Sequence, residues 1–161
     1  PEAIFNIGVA GGIAKNLKVG DIIISTSLVQ HDFDITAFNH PKGYIPNIGN
    51  NIPIDNKLLN TTKTILDTNN ISYKEGLIAS GDIFCTKESM ATKINTQFNA
   101  LCVEMEGASI AQTAYLSKTP CLVIRSISDC PDNNNKVTYE EFLETSSKKV
   151  AQIMYAILIN Q

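Results

Sequence analysis

Cys102-Val103-Glu104-Met105-Glu106-Gly107 sets two carboxylates on either side of a methionine, directly after an apolar run from Ala100 to Val103. An apolar-periodic segment follows at once through Ala108, Ile110, Ala111, Ala114 and Tyr115. This is the pattern of a buried strand that ends in acids and gives way to a helix. Open α/β sheets bind ligands outside the carboxyl ends of their strands. A carboxylate placed there accepts hydrogen bonds, and two vicinal hydroxyls match its two oxygens. Glutamates near a helix N-terminus also have a purely structural use, because they oppose the positive end of the helix dipole. A second apolar run, Pro120 to Ile127, ends in Arg125-Ser126-Ile127-Ser128-Asp129. Two strand ends that both carry acids favour a site over a pair of helix-end acids.

Other chemistry-bearing stretches are weaker alone. Gly8-Val9-Ala10-Gly11-Gly12 predicts a glycine-rich turn whose N–H groups could cradle an anion or a sugar edge. His31-Asp32-Phe33-Asp34 gathers titratable groups, and a polar turn is favoured there over a metal site. Phe84 could stack on a planar base or simply close the core.

The elements that must position these residues alternate. Strands are predicted over Ala3–Ile7, Asp21–Val29, Tyr73–Ser80, Ala100–Val103 and Pro120–Ile127. Helices are predicted over Asp55–Asn69, with Asp55 as N-cap, and over Lys87–Phe98. A last helix is predicted from Thr138 to about Ile159, with Thr138 and Glu141 as a capping box. Its packed stripe would be Phe142, Ser146, Val150, Ile153 and Ile157. Phe38–Pro53 and Cys130–Lys136 are expected to be loops, and the strand pair around Gly12 could be antiparallel. Alternation of this kind predicts an α/β fold in one domain over residues 1–161.

The chain has 161 residues and a formal charge of −3, enough for one domain with a real core. Lys148-Lys149 is its one adjacent basic pair, so nucleic-acid binding is not expected. No apolar run is long enough to span a membrane. Cys102 and Cys121 sit in apolar runs and are expected to be buried thiols, which favours a reducing, cytoplasmic setting. The chain opens on Ile4-Phe5-Asn6-Ile7 with no methionine, so residues ahead of it are expected to be missing.

Gly8-Val9-Ala10-Gly11-Gly12, Val103-Glu104-Met105-Glu106 and Arg125-Ser126-Ile127-Ser128-Asp129 together resemble the nucleoside phosphorylase superfamily. Within it, they are most similar to the bacterial 5′-methylthioadenosine/S-adenosylhomocysteine nucleosidases. His31 to Phe38 and Ser80 to Phe84 resemble the same branch, so the similarity covers the chain in order. The resemblance implies a three-layer α/β/α fold with a mixed central sheet, here lacking its first strands. It implies hydrolysis of the adenine–ribose bond of methylthioadenosine, S-adenosylhomocysteine and 5′-deoxyadenosine, in methionine salvage and methyl-cycle detoxification. Neither metal nor organic cofactor is implied.

By the same resemblance, Asp129 would protonate adenine N7, with Ser128 orienting it and Arg125 in the catalytic group. Glu106 would hold the ribose hydroxyls, with Met105 against the ribose and Glu104 among the substrate-binding residues. The Cys85 backbone would meet the adenine edge, Phe84 would stack on the base, and Gly11 would line the ribose side. Tyr139 would lie near the 5′ group. Ile35, Phe38 and Pro46 would reach across a homodimer interface to the 5′-thio group of the neighbouring site.

Two departures stand out. The family's water-activating glutamate would fall ahead of this chain's first residue, and a serine near the water in some relatives is Val9 here. The nearest rival is a phosphorylase of the same superfamily. Phosphate pockets favour arginine, and Arg125 is the one arginine in the sequence. A non-catalytic nucleoside-binding protein on the same fold is the alternative from another class.

Overall fold

Apolar runs and periodic segments sort into strands and helices in the computed structural model, which describes residues 1–131 and 135–160. The strands are β1 (Ile4–Gly12), β2 (Ile22–Gln30), β3 (Ile52–Pro53), β4 (Lys74–Ser80), β5 (Ala100–Glu104) and β6 (Cys121–Asp129). The helices are α1 (Asn56–Thr68), α2 (Glu88–Phe98), α3 (Gly107–Leu116) and α4 (Asn135–Ile159), with a 3-10 turn at Thr36–Phe38.

All six strands join one mixed sheet in the order β3-β2-β4-β5-β1-β6. β6 also pairs back onto β2, antiparallel, through Ile22–Ile24. The other half of that β2 edge receives β3 at Ser27 and Leu28. The sheet therefore closes on itself, which leaves few open backbone groups. A register shift between Ser25 and Ser27 against β4 supplies a local bend. β1 and β2, the strands on either side of Gly12, are not direct neighbours; the antiparallel pairing at Gly11 and Gly12 is made with β5, and β1 runs parallel to β6.

Closure with helices outside buries both sheet faces. Ile22, Ile23 and Ile24 are consecutive and all fully buried. Ile22 and Ile24 pack with Leu59, Ile65 and Leu66 of α1 and Val150, Ile153 and Ile157 of α4. Ile23 belongs to the cluster that takes Ala108, Ala111 and Ala114 of α3. α2 covers Val29, Ala79 and Val103 with Ala91 and Ile94. The α1 N-cap is as the sequence indicates, with the Asp55 carboxylate accepting from Leu58 N at 2.7 Å.

Two expectations change. Gly8–Gly12 is the second half of a nine-residue strand and not a turn, because β6 hydrogen-bonds alongside it as far as Asp129. The capping box also fails. Residues 132–134 of the expected loop lie outside the described residues, but Asn135 and Lys136 already belong to α4. Thr138 is thus inside the helix, where its backbone is helical and cannot serve as an N-cap.

The end of β4 is held by a close approach. A Cβ on Gly81 would lie 2.3 Å from Nε2 of His31, whose ring occupies that space. Gly81→Ala is expected to lower stability by about 1–3 kcal/mol through overpacking. Urea unfolding checks this, and an unchanged midpoint would mean that the ring turns aside freely.

Candidate active site

β4, β5, β1 and β6 converge at one end of the sheet, and the site is built where they stop. Glu104 is the last residue of β5, and its side chain is only 2% exposed. A buried carboxylate must be paired and hydrogen-bonded. Arg125 of β6, equally buried, supplies the charge through Nη2 and through Nε at 3.2 Å, both to Oε2. Gly107 N donates to both Glu104 oxygens, at 3.0 and 2.8 Å, and Glu106 N donates to Oε2 at 3.2 Å. Ser80 Oγ donates to Oε1 and accepts from Ala108 N at 2.7 Å. Arg125 Nη2 also donates to the side chain of Asn6 on β1. One acid therefore ties four strands to the first turn of α3. Orphan N–H groups at a helix start need such acceptors.

That network sets how two of the expected site residues sit. Glu104 borders the cavity, with its oxygens engaged by Arg125, Ser80 and the α3 backbone. Arg125 does not line the cavity at all; it lies behind Glu104 and fixes it. Ser80 and Asn6 are the working residues that sequence reasoning underrated. Ser80 ends a strand in Ser-Gly-Asp, which was the available signal.

The cavity itself has a volume of about 140 Å³. Gly11, Phe84, Cys85, Met105, Glu106, Ser128, Asp129 and Tyr139 all line it. Val9, Ala10, Ile83 and Val103 complete its wall. Glu106 is the residue before α3, and its side chain is 63% exposed, with Oε2 at 3.7 Å from Arg125 Nη2. This carboxylate, unlike Glu104, has room to accept from a ligand. Phe84 stands edge-on to Tyr139, with ring centroids 5.4 Å apart.

Asp129 is fully buried at the end of β6. Ser128 Oγ donates to its Oδ1 at 2.8 Å. Adjacent strand residues normally point to opposite faces. Here Ala10 pairs with Ile127 and Gly11 with Asp129, so Ser128 is an extra residue on β6. Such a bulge re-aims side chains, and Ser128 and Asp129 both border the cavity. Gly11 lies beside the acid, since a Cβ there would sit 3.4 Å from Asp129 Oδ2.

Ile35, Phe38 and Pro46 do not line the cavity of their own chain. Phe38 is 75% exposed, and Pro46 is also exposed. The His31-Asp32-Phe33-Asp34 stretch is a polar turn: Asp32 accepts from Gln30 Nε2 and Asp82 N, and Asp34 accepts from Thr36. Burial pushes the Cys85 and Cys102 thiols up and the Cys121 thiol up to about 11, which makes them poor nucleophiles.

The chain is an α/β domain built on a closed mixed sheet, with a serine-bound acid and a second carboxylate, at a helix start, bordering one cavity. The chain belongs to the phosphorylase superfamily, whose family model matches residues 1–159. It is 40% identical over 159 residues to a 5′-methylthioadenosine/S-adenosylhomocysteine nucleosidase of Haemophilus influenzae (strain PittGG), covering 98% of this chain and 69% of that protein. It is 40% identical over 151 residues to an aminodeoxyfutalosine nucleosidase of Helicobacter pylori (strain J99), covering 94% and 66%. The fold matches the crystal structure of an H. pylori 5′-methylthioadenosine/S-adenosylhomocysteine nucleosidase with a TM-score of 0.96 at 38% identity, covering 99% of this chain and 69% of that one. That crystal holds an amino-pyrrolopyrimidine joined to a thioether-bearing pyrrolidinol.

Proposed function

We propose that this protein is an N-glycosyl hydrolase that releases adenine from 5′-thioether nucleosides, 5′-methylthioadenosine and S-adenosylhomocysteine foremost. The observation that carries the reading is the buried Ser128–Asp129 pair sharing one cavity with the accessible Glu106 carboxylate and the Phe84 ring. In the reaction the bond between ribose C1′ and adenine N9 breaks, and its electron pair leaves with the base. Asp129 delivers a proton to adenine N7 as that charge develops. Water adds its hydroxyl to C1′, and its other proton passes to solvent, from which Asp129 regains the proton it gave to the base. Glu106 accepts from the ribose hydroxyls, and its charge favours the positive character that the ribose gains. Phe84 and Tyr139 provide the aromatic walls.

The burial of Arg125 favours hydrolysis over phosphorolysis. Its guanidinium is held by Glu104, Asn6 and main-chain carbonyls, so the single arginine is not presented to a phosphate. Adenine release by the natural full-length protein without phosphate, and with no ribose 1-phosphate formed, tests the choice. A strict phosphate requirement would overturn it.

The exposed Phe38, with Ile35 and Pro46 on the same segment, supports a homodimer in which each copy covers the other's 5′ subsite. A role in methionine salvage, in the cytoplasm, follows from the proposed substrates. Among the described residues no helix is long and apolar enough to cross a membrane.

Glu106→Gln is expected to weaken ribose recognition, because a pure acceptor becomes half donor. A 2′-deoxy substrate should lose less, relative to its ribo counterpart, in the variant than in the parent. Equal losses in both would remove Glu106 from that hydroxyl.

A further inference from the structure

An N-cap residue ordinarily turns its own side chain onto the first donors of its helix. Glu106 is the N-cap of α3, yet its side chain makes no capping hydrogen bond. The donors are already taken. Gly107 N donates to both Glu104 oxygens, and Glu106 N donates to Oε2. Ala108 N belongs to the second helical residue, the ordinary target of a cap, and it donates to Ser80 Oγ at 2.7 Å. Ser80 is buried at the end of β4, 28 residues away in the chain. Its hydroxyl hydrogen is committed to Glu104 Oε1, which leaves the oxygen lone pairs for the helix. The start of α3 is thus capped from other strands, and the exposed Glu106 carboxylate borders the cavity with no duty at the helix end.

We propose that Ser80 is a positioning residue for the ribose: by capping α3 in place of Glu106, it keeps the Glu106 carboxylate available to the ribose hydroxyls. The inference rests on the nucleosidase reading above, with Glu106 as the ribose acceptor. Ser80 does not line the cavity, so it acts through Glu106 and not on the substrate. Without its hydroxyl, Ala108 N is a buried donor with no acceptor, which is costly. Glu106 stands at the N-cap, the position from which a side chain reaches that donor. A carboxylate drawn to the helix end must be pulled away before it can take the hydroxyls.

The test measures kcat/KM for the natural full-length protein, Ser80→Ala, Ser80→Cys, Glu106→Gln and the Ser80→Ala/Glu106→Gln pair. The substrates are 5′-methylthioadenosine and its 2′-deoxy counterpart. Cysteine keeps the shape of serine with a weak donor and acceptor, so it carries the test if the alanine variant folds poorly. Each Ser80 variant is expected to lose about tenfold on the ribo substrate, the scale of a lost cap. It should lose less on the 2′-deoxy substrate, which offers Glu106 one hydroxyl fewer. In the Glu106→Gln background Ser80→Ala should add little, the sign that both residues act through one interaction. A merely structural serine would lower the melting temperature and slow both substrates by one factor in both backgrounds, and that result would overturn the proposal. If Glu106→Gln itself leaves the preference for the 2′-hydroxyl unchanged, Glu106 is not the ribose acceptor and the role of Ser80 falls, while adenine release stands. If the parent releases adenine from neither substrate, the nucleosidase reading fails and the proposal falls with it.

Discussion

Asp129→Asn in the full-length protein is expected to lower adenine release by about a hundred- to ten-thousandfold, the usual range for a general acid. The amide keeps the size of the side chain and can still receive the Ser128 hydroxyl. It has no acidic proton to give to adenine N7. Nucleoside binding should largely survive, because Phe84, Cys85 and Glu106 are untouched and border the same cavity. The measurement is single-turnover adenine release beside equilibrium binding of a non-hydrolysable thioether analogue. A variant that turns over within a few-fold of the parent would take Asp129 out of the mechanism.

Arg125→Met should be strongly destabilising. Glu104 would remain buried with its hydroxyl and main-chain donors but without a countercharge. Removing one partner of a buried ion pair costs about 3–5 kcal/mol. For a chain of this size that is on the order of 10 °C in Tm. Arg125→Lys should recover only part of it, because a single ammonium cannot span Glu104 and Asn6 as the guanidinium does. A Glu104→Leu/Arg125→Met pair should lose less than the sum of its members, the sign of a direct interaction. It should still fall short of the parent, since Gly107 N and Glu106 N lose their acceptor. A melting curve for Arg125→Met that overlays the parent's would show that the network is not needed for stability.

Glu104, Glu106 and Asp129 announced themselves in the sequence because strand ends are legible there. An apolar run has a length, and acids that follow it mark where it stops. Asp55, the strand near Ile22 and the α4 stripe were legible for the same reason, since local periodicity and capping depend on neighbours in the chain. Thr138 shows the limit, because its local pattern fits a capping box but the helix begins earlier.

The tertiary structure decided what each acid does. Glu104 and Glu106 are two residues apart and chemically identical. One is buried against Arg125, Ser80 and the start of α3, and the other stands in the cavity. The partners of Glu104 come from positions 80, 106, 107 and 125, with Asn6 held in turn by Arg125, and they are brought together by the pairing of β4, β5, β1 and β6. The bulge at Ser128 that turns the serine and the acid toward one cavity is likewise a property of pairing with β1. Sequence by itself determined the strand ends, the acids on them and the family. Pairing of β4, β5, β1 and β6 determined which acid is neutralised and which is left accessible to the cavity, because long-range pairing sets desolvation and desolvation decides the fate of a carboxylate.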